Sequence, residues 1–145
     1  MRRIILFLAT AVVAVPSIAV PPPVPRPASL LDLRADNCPV DLSGTARPYS
    51  PETYRFIGKT GDVLIMVNEK PSLDLAFNLG LVDEGPLIAD AGFGPDVRIR
   101  LPQSGTYQLQ VSPYDPIAKK AVSADFQLRL YLRDEQPIGP CQSGR

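Results

Sequence analysis

The sequence predicts an all-β protein, an antiparallel jelly-roll-like β-sandwich of about eight short strands. Two observations carry that prediction. Apolar residues recur at every second position through most of the chain, which is the period of a strand with one buried face. The alternating segments are separated by Gly- and Pro-containing turn signals, and no window past Val20 has a convincing helical period.

Four segments are strongest. In Leu73–Val82, Leu73, Leu75, Phe77, Leu79 and Leu81 share one face, while Asp74, Ala76, Asn78, Gly80 and Val82 take the other. Val97, Ile99 and Leu101 alternate with Arg98 and Arg100, and Tyr107, Leu109 and Val111 alternate with Thr106, Gln108 and Gln110. Phe126, Leu128, Leu130 and Leu132 alternate with Asp125, Gln127, Arg129 and Tyr131. None of these segments contains a proline, as interior strands require. Shorter candidates are 41–45, 54–57, 63–67 and 87–89. Turn signals fall between them at Thr60-Gly61-Asp62, Asp83-Glu84-Gly85-Pro86, Gly92-Phe93-Gly94-Pro95 and Ser104-Gly105.

Ahead of the strands the chain has a different character. Met1-Arg2-Arg3 leads an apolar run from Ile4 to Val15, broken only by Thr10, with Ser17 and Ala19 at the small-residue positions before a cut. That pattern is a signal peptide over residues 1–19, and the run is too short to span a bilayer as an uncleaved anchor. Removing 19 of 145 residues leaves 126 and takes Arg2 and Arg3 away, so 13 basic residues face 15 acidic ones. Residues 20–37 read as a Pro-rich spacer, since Pro21 to Pro27 is polyproline II in character. The globular part then spans residues 38–145. Cys38 and Cys141 lie near its two ends, and in an oxidising compartment they are expected to form one disulfide. Closing a loop of that length contributes up to ~4.7 kcal/mol in the chain-entropy model.

Composition excludes several functions. A pI near 6.2 and balanced charge argue against nucleic acid as a partner. The sequence has no His, hence no imidazole base, and no Ser-x-x-Lys or Gly-x-Ser-x-Gly motif. Neither cysteine has a CxxC partner. The chain reads as non-catalytic, with paired carboxylates the one remaining catalytic route.

A series of residues resembles a known family. Val40-Asp41-Leu42-Ser43-Gly44-Thr45 opens it. Tyr54-Arg55-Phe56, Gly61-Asp62-Val63, Leu79 through Gly85 and Leu87-Ile88-Ala89-Asp90 follow. It closes with Pro102-x-x-Gly105-Thr106-Tyr107 and Phe126-Gln127-Leu128. Over residues 40–132 this resembles the bacterial pre-peptidase C-terminal domain, a jelly-roll-like sandwich appended to secreted proteases, in which residues 102–107 form a hairpin. No peptidase precedes the domain in this sequence. The resemblance implies an accessory role, binding a polysaccharide, a collagen-like protein or a partner enzyme.

These readings give a non-catalytic, periplasmic or secreted module that binds an envelope or extracellular protein or polysaccharide. The alternative is a small periplasmic chaperone or enzyme inhibitor that presents a loop. Ligand contacts are expected from Phe93 and Tyr114, aromatics flanked by Gly or Pro, and from Tyr131 on the outer face of the last strand. Phe93 and Tyr114 have a plainer role open to them, as plugs for the end of the sandwich. Acid density, with calcium binding in some members of the family, makes Asp74, Asp83, Asp90 and Asp96 the expected ligands of a calcium ion, although no Asp-x-Asp-x-Asp spacing occurs.

Overall fold

In a computed structural model of the protein, residues 27–33, 38–70, 74–114, 117 and 119–134 are described. They contain nine strands: β1 (Ser29–Leu30), β2 (Val40–Ala46), β3 (Glu52–Gly58), β4 (Val63–Asn68), β5 (Leu75–Leu81), β6 (Gly85–Gly92), β7 (Asp96–Arg100), β8 (Gly105–Pro113) and β9 (Ala124–Arg133). They form a five-stranded sheet, β1-β3-β8-β5-β6, and a four-stranded sheet, β2-β9-β4-β7. Each connection from β1 to β9 changes sheet except β5–β6, which is a hairpin. The all-β sandwich expected from the alternation is therefore present.

The alternation explains the core. Leu42 and Ala46 of β2, Leu64 and Met66 of β4, Ile99 of β7 and Phe126, Leu128 and Leu130 of β9 face inward from one sheet. Tyr54, Phe56, Leu75, Phe77, Leu79, Tyr107, Leu109 and Val111 answer from the other. The Phe56 and Tyr107 rings stack with centroids 5.5 Å apart. Phe126 lies over Gly44, where a Cβ would come within 3.0 Å of the ring, so the missing side chain gives the phenyl its place.

Three features depart from the sequence reading. Among the described residues the first strand begins at Ser29, inside the expected spacer. There β1 pairs in parallel with Tyr54 and Arg55, and Leu33 is buried. Pro102 to Tyr107 is not a hairpin: it carries the chain from β7 in one sheet to β8 in the other. In β5, Ala76 and Gly80 are buried although they point away from the core; at Gly80 the cause is the β6 backbone, since a Cβ there would meet Gly85 O and Pro86 Cα. The expected signal peptide, Cys141 and all but Pro27 of the proline run lie outside the described residues.

Candidate functional site

Crossing between sheets at nearly every step gathers the loops at the two ends of the sandwich. One end includes residues 59–62, 82–84 and 101–104, and hydrogen bonds tie these three loops together. Gly61 turns the chain with φ +88°, a conformation that favours glycine. The buried Asp62 carboxylate accepts the Lys59 N–H at 2.7 Å. Across from this turn, Gly61 N–H donates to Leu101 O at 2.9 Å and Leu101 N–H donates to Asp62 O at 2.7 Å. Arg100 adds a longer contact, its Nη1 donating to Gly61 O at 3.4 Å.

The loop from Pro102 to Ser104 is held on both flanks. Thr60 N–H donates to Ser104 Oγ at 3.0 Å, and the two hydroxyls lie 3.2 Å apart. On the other side Gln103 Nε2 donates to Glu84 Oε2 at 2.6 Å. From beneath, the Tyr107 hydroxyl donates to Gln103 O at 2.7 Å. Burial raises the pKa of Tyr107, the Gln103 contact opposing it, so the phenol stays protonated and remains a donor at neutral pH. Pro102 and Ser104 face solvent at the tip of this braced loop. The sequence marked these segments as turns but had no way to show that they touch.

The opposite end holds two of the expected ligand residues. Phe93 is buried, 4% exposed, with its ring tilted against Phe77 at 4.8 Å. It plugs the sandwich and offers no face to a ligand, which corrects its assignment as a contact residue. Tyr114 is 41% exposed, and its N–H donates to Asp74 O at 2.6 Å. Tyr131 is not at this end: it lies on the outer face of the four-stranded sheet, paired with Ile65, with the Arg133 guanidinium 5.4 Å from its ring centroid. The three aromatics do not form one site.

Sequence reasoning missed Tyr49, the most exposed aromatic among the described residues at 79%. It sits in the turn Arg47-Pro48-Tyr49-Ser50, closed by Ser50 N–H to Arg47 O at 3.2 Å, with φ +59°. Proline second and a left-handed residue third is the type II pattern, where Gly or Asn is usual. The Pro-Tyr pair was the only available signal, and it does not distinguish a turn tip from a strand start.

The four acids expected to hold calcium are dispersed. Asp74 and Asp83 flank opposite ends of β5, Asp90 lies in β6, and Asp96 begins β7, its carboxylate 2.9 Å from Arg98 Nη2. Among the described residues no three His, Cys, Asp or Glu side chains come together as a metal cradle. On the four-stranded face Arg129 bridges Asp41 at 2.7 Å and Glu69 at 2.9 Å, and its guanidinium holds the Asp41 carboxyl below the usual carboxylate range.

No family model matches the sequence, and no curated protein does. Solved structures do share the fold. PliG of Aeromonas hydrophila, a periplasmic inhibitor of g-type lysozyme, aligns with TM-score 0.58 and 18% identity over 73% of this chain and 96% of its own. Salmonella Typhimurium PliG, with the same described role, gives 0.57 and 18% over 73% and 97%. The pre-peptidase C-terminal domain of a Bacillus anthracis collagenase gives 0.50 and 14% over 77% and 99%. These likenesses place the chain in the sandwich fold expected from its sequence.

Proposed function

We propose that this chain is a non-catalytic module of the periplasm or extracellular space that blocks a partner enzyme by presenting the Pro102–Ser104 loop. The observation that carries this reading is the bracing of that loop by Thr60, Glu84 and Tyr107. A loop already fixed in one conformation gives up little freedom on binding, and tight protease–inhibitor complexes change backbone shape little. A sequence without His and with dispersed acids fits a module that binds without turnover. The fold it shares with three lysozyme inhibitors makes a g-type lysozyme the first target to test.

The experiment is an inhibition titration. Purified protein is added to g-type lysozyme acting on cell walls, with the single variants Gln103→Ala and Ser104→Ala and the opposite-end variant Tyr114→Ala. The reading expects stoichiometric slowing that weakens by roughly tenfold or more in the two loop variants and is retained in Tyr114→Ala. Undiminished turnover at a large excess of the protein rules out the lysozyme. Slowing that survives both loop variants but not Tyr114→Ala moves the site to the other end of the sandwich.

A further inference from the structure

The outer face of the five-stranded sheet carries a feature that the enzyme-blocking loop does not use. A cleft of about 340 Å³ opens there, between the β5–β6 hairpin and the face of β8. Its floor contains Gly80, where a Cβ would come within 2.1 Å of Gly85 O and 2.7 Å of Pro86 Cα. The hairpin therefore closes over the sheet only because position 80 has no side chain. Pro86 and Ala89 line the wall, and Gln108 and Gln110 project from β8 into the cleft.

The β6 wall is irregular in a way that faces the cleft. Phe77 pairs with Ala91 and Leu79 with Ile88, so two residues, Ala89 and Asp90, stand opposite Asn78. Such a bulge re-aims side chains. Asp90 sits at φ +50°, a strained conformation for a residue other than glycine, and its N–H donates to Asn78 Oδ1 at 2.6 Å. Gln108 Oε1 accepts from Arg55 Nε at 3.3 Å. The Gln110 carboxamide and the Asp90 carboxylate make no side-chain hydrogen bond among the described residues.

We propose that this cleft binds a neutral oligosaccharide, about a disaccharide in size, at a site separate from the loop. Three properties of the lining select that chemistry. Gln108 and Gln110 are two residues apart on one strand, so their carboxamides recur at about 7 Å on the same face. Each carboxamide donates and accepts, and Asp90 accepts, which matches hydroxyls that do both. The lining holds one formal charge, the Asp90 carboxylate, and the neighbouring Arg55 guanidinium donates to Gln108, so no charge of one sign dominates to select an ionic ligand, while the carbon surfaces of Pro86 and Ala89 can cover the C–H face of a ring. A cleft of 340 Å³ lies within the range that holds small ligands.

The test uses side-chain amide signals of the ¹⁵N-labelled protein. Cellobiose, maltose and N,N′-diacetylchitobiose are titrated separately to tens of millimolar, with tetraalanine as a peptide probe. The proposal expects saturable shifts of the Gln108 and Gln110 amide pairs with at least one saccharide, and binding roughly tenfold weaker in Gln110→Ala with an unchanged melting temperature. No shift at these amides with any of the three saccharides overturns it. Shifts with tetraalanine alone, or saccharide binding that Gln110→Ala leaves intact, overturn it equally. Lysozyme inhibition is read in a separate assay, so failure of the saccharide site leaves the loop reading to its own test.

Discussion

Replacing Phe93 by alanine tests whether that ring belongs to the core or to a binding surface. Phe93 is 4% exposed and lies against Phe77 with 4.8 Å between centroids. Truncating a buried phenylalanine costs about 3–5 kcal/mol through lost transfer energy and the cavity left behind. The tilted ring pair accounts for about 0.5–1.5 kcal/mol of that. Against a total stability of about 5–15 kcal/mol, this is a large fraction. The melting temperature should fall by roughly 12–20 °C for a domain of this size. Urea unfolding followed by far-ultraviolet circular dichroism and tyrosine fluorescence reads the change, since the protein has no tryptophan. Tyr114→Ala, truncating a ring that is 41% exposed, should stay within about 0.5 kcal/mol of the parent. A loss below about 1 kcal/mol for Phe93→Ala, with an unchanged denaturant slope, would refute the core assignment.

Four further outcomes are expected. Tyr49→Gly should leave stability unchanged or raise it by up to about 1 kcal/mol, because it relieves the φ +59° conformation while adding freedom to the unfolded chain; a fall of more than about 1 kcal/mol in urea unfolding would mean that the ring packs. Asn68 is 3% exposed and neither its Nδ2 nor its Oδ1 has a partner among the described residues, so Asn68→Leu should stabilise by about 1 kcal/mol or more, and a drop in the urea midpoint would reveal a partner. Arg129 lowers the Asp41 pKa, so folding favours the carboxylate; that contribution is present above about pH 4 and disappears as pH falls through the folded value. The urea midpoints of parent and Asp41→Asn should therefore differ near neutrality and converge in acid, and a constant gap down to pH 2 would contradict the pairing. We also propose the Cys38–Cys141 disulfide: alkylation and mass measurement of the native protein should find no free thiol, and two alkylated cysteines would exclude it.

Much of the fold was legible because a strand with one buried face announces itself in one dimension. Leu128 and Leu130 alternate with Gln127 and Arg129, and the structure buries the first pair and turns the second outward. The same rule placed Tyr131 on an outer face. It could not place Phe93, since a Gly-Phe-Gly-Pro loop looks alike whether its ring turns in or out, and only Phe77 on the neighbouring strand decides. The braced end was hidden for a related reason. Thr60 and Ser104 are 44 positions apart, and nothing local in either turn refers to the other. The cleft was obscured further, because alternation marked Gly80 as an outward residue and carried no trace of the β6 backbone lying across it.

The order in which partners become available has a consequence for how the chain is made. In the four-stranded sheet β2 pairs only with β9: Val40 waits for Leu130, and Ala46 for Ala124. A ribosome adding about 5–20 residues per second leaves β2 without its neighbour for several seconds. In that interval its backbone donors and acceptors are satisfied by water, or by another nascent chain. The sandwich therefore cannot be completed from its N-terminus forward. A chain released before β9 has emerged would retain an open edge at β2 and another at β4, so premature termination should give aggregates in place of a smaller folded domain.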